Sequence, residues 1–255
     1  MPSIKGQSIL IIGGSSGIGA GVAKLALGEG VRVSIASSNP ERVEAAIATM
    51  KAMFPDAYIR GYVCDLSKDD VEDRLEKLLK DVTSDENEQL LDHIIYTALI
   101  TAKKPLEEMS RDYLRDAGQL SQVAPLLLAK LAPQYLKPGY TSSLIYTSGA
   151  VAERPVPGYV LPIYYGAGMI AAVRALALDF APRRVNVVSP YATDTEMGGP
   201  EPQRSMLRNF FASKALLGKV GTPEEVGEAY IYLMKDTNTT GQSIGSNGGW
   251  LLQSP

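Results

Sequence analysis

Residues 8–19 read Ser8-Ile-Leu-Ile-Ile-Gly-Gly-Ser-Ser-Gly-Ile-Gly19, a short apolar run that passes directly into a glycine cluster. The apolar run has the length and branched side chains of a buried strand, and a helical pattern over residues 18–28 follows it. Glycines at such a junction let the backbone turn tightly and approach a phosphate, and the helix N-terminus behind them offers unpaired N–H groups. This context predicts a dinucleotide pyrophosphate loop, with a purely structural turn as the alternative. The residues expected at the phosphates are Gly13, Ser15, Ser16, Gly17, Ile18 and Gly19.

Outward from this loop, apolar strand patterns alternate with helical patterns along the chain. Strands are predicted at residues 8–12, 31–36, 58–63, 93–97, 143–147, 185–189 and 243–246. Helices are predicted at residues 18–28, 40–53, 69–81, 110–136, 163–180 and 223–234. Repeated β-α-β units of this kind predict an α/β fold in one Rossmann domain over residues 1–255. Its doubly wound parallel sheet should have about seven strands, with helices on both faces.

Composition excludes several classes of protein. The 255 residues carry a net charge of −3 with scattered Lys and Arg, so we expect no nucleic-acid partner. A single cysteine, Cys64, cannot form an internal disulfide, and no residue cluster supports a metal site. No apolar run reaches the roughly 18 residues of a membrane span, and no signal-peptide cleavage site follows the N-terminus. We therefore expect a soluble, cytoplasmic protein without a membrane partner.

Residues 195–220 depart from the regular alternation. Gly198, Gly199, Pro200 and Pro202 come first, and an apolar helical stretch follows at about residues 206–217. Ligands of doubly wound sheets bind beyond the carboxyl ends of the strands, where this segment should lie. It is either a lid over the substrate or an ordinary surface helix.

The phosphate loop and several later motifs together resemble the short-chain dehydrogenase/reductase family over nearly the whole chain. Gly13-x-x-x-Gly17-x-Gly19 resembles the family's fingerprint, although Ile12 stands where a threonine usually leads. Further matches are Asp65-Leu66 after the third strand, residues 184–190 with Thr195 after them, and residues 221–226 and 241–249. The resemblance implies a nicotinamide dinucleotide cofactor and oxidoreductase chemistry. It also implies cofactor contacts from Asp65, Leu66, Thr97, Ala98, Pro190 and Thr195.

The end of the second strand bears on which dinucleotide is bound. A carboxylate there would bond the adenosine ribose and repel a 2′-phosphate, but Ser37 occupies the position. Ser38 and Asn39 can also donate hydrogen bonds to a phosphate, and Arg42 follows one helical turn later. We therefore expect NADP(H). The same Ser-Ser-Asn-Pro sequence is also typical of a helix N-cap followed by proline, and both interpretations can hold.

The family's catalytic Tyr-x-x-x-Lys pair is absent. Ser148 matches the serine that polarises the substrate carbonyl, but the resemblance places Pro162 at the tyrosine and Gly166 at the lysine. None of the 13 tyrosines has a lysine four residues later. The family's supporting asparagine falls near Ser121 and Gln122. Because a positioned acid contributes about 10²–10⁴-fold to a rate, an ordinary alcohol dehydrogenase mechanism is not expected.

Candidate replacements for the acid are Tyr159, Tyr164 and Tyr165, near the start of the helix after Ser148. Their hydroxyls can donate hydrogen bonds, although each ring can instead simply pack in the core or against substrate. Glu153 and Arg154 are either an acid with an anion clamp or a solvated loop pair. The single histidine, His93, lies inside a predicted strand and is expected to be structural.

Three functions fit this combination. The first is a reductase of an iminium-like C=N bond, which needs no proton. The second is a non-redox cyclase or isomerase that orients a reactive substrate. The third is a nucleotide-binding pseudoenzyme. In lacking this pair, the chain resembles the fungal indole-alkaloid reductases of secondary metabolism that also guide a Diels–Alder closure. The substrate should be a hydrophobic or cationic small molecule, and the family implies a homodimer or homotetramer built through helices 110–136 and 163–180.

Overall fold

Seven parallel strands form a single sheet in the order β3-β2-β1-β4-β5-β6-β7. The computed structural model describes residues 1–84, 89–99 and 104–253. The strands are β1 Ser8–Ile12, β2 Arg32–Ser37, β3 Ile59–Val63, β4 His93–Tyr96, β5 Ser143–Thr147, β6 Arg184–Pro190 and β7 Ser243–Ser246. The strand order reverses between β1 and β4, which opens a crevice at the carboxyl edge of the sheet. The predicted doubly wound Rossmann fold is confirmed.

Alternate side chains of the strands feed two separate cores, one on each face. In β1, Leu10 and Ile12 enter one core, whereas Ile9 and Ile11 enter the other. Eight α-helices lie within the described residues: α1 Gly17–Gly28, α2 Pro40–Met53, α3 Val71–Thr83, α4 Arg111–Gly118, α5 Ala124–Leu131, α6 Val160–Phe180, α7 Gln203–Ala212 and α8 Pro223–Lys235. Helices α1, α2 and α8 cover one face, and α3, α5 and α6 cover the other. Strands buried on both sides read as continuous apolar runs, which is why the sequence revealed them.

The helix predicted at residues 110–136 is not one regular α-helix. Helices α4 and α5 are joined by a π-helical segment, Gln119–Val123, that widens the turn. A π turn interrupts the regular pattern of helix hydrogen bonds. Within it, the carbonyl of Leu120 accepts a hydrogen bond of 2.7 Å from the buried hydroxyl of Tyr96. Tyr146 on β5 similarly donates to the carbonyl of Pro125, at 2.7 Å.

Helix α6 begins at Val160, three residues before its predicted start. Pro162 therefore lies in its first turn, where no intrahelical bond to the backbone N–H is lost. The expectation that no apolar segment reaches membrane length was wrong for this helix. By length and composition alone, α6 is long and apolar enough to cross a membrane. It packs along β5 and β6 as an outer-layer helix of the sheet.

Candidate functional site

The glycine loop after β1 is tightly packed against the end of β4. Gly13 has a φ of +91°, and a Cβ added there would lie 2.6 Å from Oγ1 of Thr97. A Cβ on Gly19 would lie 2.3 Å from the carbonyl oxygen of Gly13. The backbone N–H of Thr97 donates to the carbonyl of Ile12 at 2.8 Å. Because side chains cannot fit at these two glycines, the backbone itself forms the surface that a pyrophosphate would approach.

Helix α1 begins at Gly17, where φ is +51°. Its N-cap residue, Ser16, makes no side-chain capping bond within the described chain, and the first turn holds no acidic residue. The first N–H groups of the helix therefore have no intrahelical partner and suit an anion. A Cβ on Gly17 would lie 3.3 Å from Cγ2 of Thr195, so the predicted cofactor residue Thr195 lies directly over the loop.

The predicted adenosine end lies at the carboxyl ends of β2 and β3. Asn39 caps α2, since its Oδ1 accepts a hydrogen bond of 2.7 Å from the N–H of Arg42. The capping interpretation is thus confirmed for Asn39, while its contact with a cofactor stays a prediction. The N–H of Cys64 donates to the carbonyl of Ser37 at 2.9 Å, which joins the two strand ends. The neighbouring Ser38 is exposed.

Asp65 and Leu66 follow β3 directly. The Asp65 carboxylate accepts bonds from the Oγ of Ser67 at 2.7 Å and from its N–H at 3.0 Å. The side-chain bond with Ser67 is the main reason that the pKa of Asp65 is lowered. Leu66 is buried against the core. An ionised, anchored carboxylate next to a buried backbone has the donor and acceptor groups that an adenine edge requires.

Ser148, at the carboxyl end of β5, lies against α6. It is 8% exposed, and its Oγ donates to the carbonyl of Gly166 at 3.0 Å. A Cβ on Gly166 would lie 2.9 Å from that Oγ and 3.0 Å from Cβ of Ala152. The position at which the resemblance expects the catalytic lysine is therefore closely packed, and a side chain there would require Ser148 or Ala152 to move.

The three candidate tyrosines differ in their surroundings. Tyr165 is buried and donates to the carbonyl of Leu114 at 3.1 Å, so its hydroxyl faces α4. Tyr164 is 62% exposed, with its ring centroid 5.5 Å from that of Tyr165. Tyr159 is the N-cap residue of α6. Packing accounts best for Tyr165, and a catalytic role for any of the three stays a prediction.

An aromatic cluster beyond Ser148, which we call the aromatic wall, was missed in the sequence. It consists of Tyr191, Phe211 and Trp250. The ring of Tyr191 stacks on Trp250 at 4.6 Å and 11°, and Phe211 meets it edge-on at 5.9 Å and 89°. Arg154 donates to the carbonyl of Trp250 at 2.6 Å, and its guanidinium carbon lies 5.0 Å from the ring centroid. The sequence feature that could have revealed this cluster is Tyr191, an aromatic residue directly after Pro190 at the end of β6.

Arg154 therefore contacts the aromatic wall, whereas Glu153 is exposed. Burial is the main cause that raises the pKa of Tyr191. Tyr159 raises that pKa further, and the positive charge of Arg154 lowers it. Both residues thus face Tyr191, which places the start of α6 and the loop after β5 against the wall.

The segment predicted as a lid contains α7, which begins three residues before the expected helical stretch. Arg204 and Arg208 on α7 bind the Asp194 carboxylate at 2.6 and 3.2 Å. These bonds tie the helix to the residue that precedes Thr195. A recess of about 140 Å³ lies beside Tyr191. Its lining includes Leu217, Lys219, Glu225, Ser246, Asn247 and Gly248.

His93 lies at the opposite end of β4 from the site. It is fully buried, with Nδ1 2.8 Å from Oγ of Ser143 and Nε2 2.9 Å from Oε1 of Gln7. Burial lowers the pKa of His93 to about 3, so the imidazole is neutral in the fold. Its expected structural role is confirmed.

The comparisons with known proteins agree with this geometry. A family model described as an SDR-like Rossmann domain, SDR standing for short-chain dehydrogenase/reductase, matches residues 3–253. The chain is 49% identical over 255 residues to the short-chain dehydrogenase/reductase ATR9 of Stachybotrys chlorohalonatus, covering 99% of this chain and 100% of that one. It is 35% identical over 260 residues to malC of Malbranchea aurantiaca, covering 98% and 96%.

Solved structures give the same result. The structure of the MalC reductase/Diels-Alderase superposes with a TM-score of 0.91 at 35% identity, covering 98% of each chain. A short-chain dehydrogenase of Burkholderia cenocepacia, solved with NADP, has a TM-score of 0.85 at 22% identity, which supports the fold alone. With a matching family model and a glycine cradle suited to a nicotinamide dinucleotide, this chain belongs to the short-chain dehydrogenase/reductase family of oxidoreductases.

Proposed function

We propose that this protein is an NADP(H)-dependent reductase of fungal secondary metabolism that acts on an iminium-like C=N bond. One observation carries the proposal: the glycine loop is packed so that its backbone can meet a pyrophosphate, while Gly166 packs on Ser148 where the acid's lysine partner would stand. Hydride addition to a cationic C=N bond gives a neutral amine directly. The loss of the acid therefore costs little there, whereas a carbonyl substrate would lose about 10²–10⁴-fold in rate.

The cradle residues supply the cofactor site in this proposal. Gly13, Gly17 and Gly19 would meet the pyrophosphate, and Thr195 would cover it. Ser37 puts a hydroxyl, and no carboxylate, at the end of β2, which supports NADP(H) over NAD(H). When bound, the reduced cofactor supplies the hydride. The protein's own groups would bind it and orient it beside Ser148.

Coupling to a pericyclic cyclisation is the second part of the proposal. It is supported by the relative whose structure is described as a reductase/Diels-Alderase. In this chain the aromatic wall offers flat apolar surfaces on which a hydrophobic substrate can be held in a folded conformation. Such orientation is an effective source of rate for ring closure. We also propose a cytoplasmic homodimer or homotetramer.

The test compares two bicyclic probes of the same size. We expect the protein to oxidise NADPH with 2-methyl-3,4-dihydroisoquinolinium and to do so far more slowly with 1-tetralone. Calorimetry with NADPH, NADP, NADH and NAD should show binding that depends on the 2′-phosphate. Failure to bind any of the four dinucleotides would refute the reductase, and only a cyclase or a binding protein on the same fold would remain.

A further inference from the structure

Tyr191 lies at the edge of the sheet where the substrate is expected. Strands β5 and β6 are paired with Thr147 opposite Val188. Two residues further along each chain segment, a Cβ on Gly149 would lie 3.8 Å from the carbonyl oxygen of Pro190. Tyr191 therefore leaves the sheet next to the segment that carries Ser148, at the edge where ligands of this fold bind.

Packing fixes the position of this tyrosine. The stack on Trp250 and the edge contact with Phe211 hold its ring on two sides. Its backbone N–H donates to the carbonyl of Ser246 at 3.1 Å. A side chain so restrained presents its hydroxyl in one direction, which is what a proton donor requires.

The Tyr191 hydroxyl is also uncommitted. Within the described residues it makes no hydrogen bond, whereas the hydroxyls of Tyr96, Tyr146 and Tyr165 each donate to a backbone carbonyl. Burial keeps its pKa above the ordinary value, so the hydroxyl carries its proton at neutral pH.

Several charged or titratable groups lie around Tyr191. Arg154 and Tyr159 approach from the loop after β5 and from the start of α6. Lys219 and Glu225 line the adjoining recess and form an ion pair with each other. Arg154 is the cation among them that lowers the pKa of Tyr191, so it would stabilise a phenolate.

We infer that Tyr191 is a catalytic acid that protonates the nitrogen of an uncharged imine, which extends the substrate range from preformed iminium ions to neutral imines. This inference rests on the proposed reductase function and keeps its expectation for ketones, because a ketone oxygen is far less basic than an imine nitrogen. The N–H bond forms as the phenolic O–H bond breaks, and the electron pair stays on the phenolate oxygen beside Arg154. A hydride from the reduced nicotinamide dinucleotide forms the C–H bond, so the dinucleotide is oxidised and the C=N bond is reduced to an amine. Water then returns a proton to the phenolate.

The test uses Tyr191→Phe, which keeps the ring and both aromatic contacts and removes only the hydroxyl. Tyr140→Phe is the matched control, because Tyr140 is 61% exposed and lies before the amino end of β5. The probes are 3,4-dihydroisoquinoline, assayed at pH 9 as the neutral imine, and its N-methyl iminium ion, which cannot accept a proton. For Tyr191→Phe we expect kcat/KM to fall by about 10- to 100-fold on the imine and by less than about twofold on the iminium ion.

Other outcomes separate the inference from the function on which it rests. Equal losses on both probes, or no loss on the imine, would overturn the role of Tyr191 and leave the reductase intact. A wild-type protein that reduces neither probe would overturn the proposed function and this inference together. This outcome is measured on the wild-type protein alone, so it is distinct from a loss caused by Tyr191→Phe.

Discussion

Replacing Gly166 with alanine adds a methyl group where α6 meets Ser148. The new Cβ would lie 2.9 Å from Oγ of Ser148 and 3.0 Å from Cβ of Ala152, so neighbouring atoms must move. The same change at Gly168 meets only Nε2 of Gln122, at 4.0 Å. Alanine stabilises a helix interior by about 1 kcal/mol relative to glycine. Overpacking costs about 1–3 kcal/mol. We therefore expect Gly168→Ala to stabilise the protein and Gly166→Ala to be less stable than Gly168→Ala by about 1–3 kcal/mol.

Urea unfolding of the two variants at equal protein concentration and without nucleotide measures this difference. In thermal unfolding, each kcal/mol corresponds to about 2–4 °C for a chain of this size. Gly166→Ala should also lower reductase activity, because it displaces the Ser148 hydroxyl, while NADPH binding is retained. Equal stabilisation by both substitutions would refute the close contact between Ser148 and α6. It would also refute the crowding that we expect to disfavour a lysine side chain at position 166.

Three further predictions concern the cofactor loop, the buried histidine and the outer helix. Gly17→Ala should weaken NADPH binding by about 10-fold or more in calorimetry, because it strains the backbone and crowds the phosphate site. The control is Gly6→Ala, which also has a positive φ, of +79°, but has open space around it and should leave NADPH binding unchanged. The pKa of His93 falls from 6.5 to about 3 on folding, so as the pH is lowered the unfolded chain binds a proton before the folded protein does. Below pH 6.5 the free energy of unfolding should therefore decrease by up to about 1.4 kcal/mol per pH unit. His93 is the one histidine of the chain, so the free energy of unfolding of His93→Gln in urea should lack this dependence on pH between 5 and 6.5. An unchanged dependence would contradict the neutral, buried state of His93. Leu178→Asp, at a position on α6 that is 81% exposed, should convert the proposed oligomer to monomers in light scattering; oligomers that persist would place the interface elsewhere.

Much of the fold was predictable because the five inner strands, β1, β2, β4, β5 and β6, are buried on both faces and helices alternate with strands along the chain. The details that escaped depend on contacts between distant elements. The π-helical segment accommodates a bond from Tyr96, which lies on a neighbouring strand. Helix α6 passes through Pro162 because the proline falls in the first turn, a boundary that periodicity alone does not fix.

The candidate site divides in the same way. The positions of Gly13, Gly17 and Gly19 were evident because local backbone geometry demands glycine there. Tyr191 escaped because its role depends on Trp250, which comes from the end of the chain and packs only in the folded protein. Gly166 was identified as the position of a missing lysine, but its contact with Ser148 required the structure.

The attachment of α7 to Asp194 bears on the order in which the ligands bind. Thr195, which contacts the phosphate loop, is the next residue in the chain, so a movement of Thr195 by an arriving nucleotide reaches Arg204 and Arg208 through a single peptide bond. We therefore expect occupancy of the nucleotide site to change the position of α7. Steady-state kinetics should follow an ordered sequential scheme, with the dinucleotide binding first and leaving last.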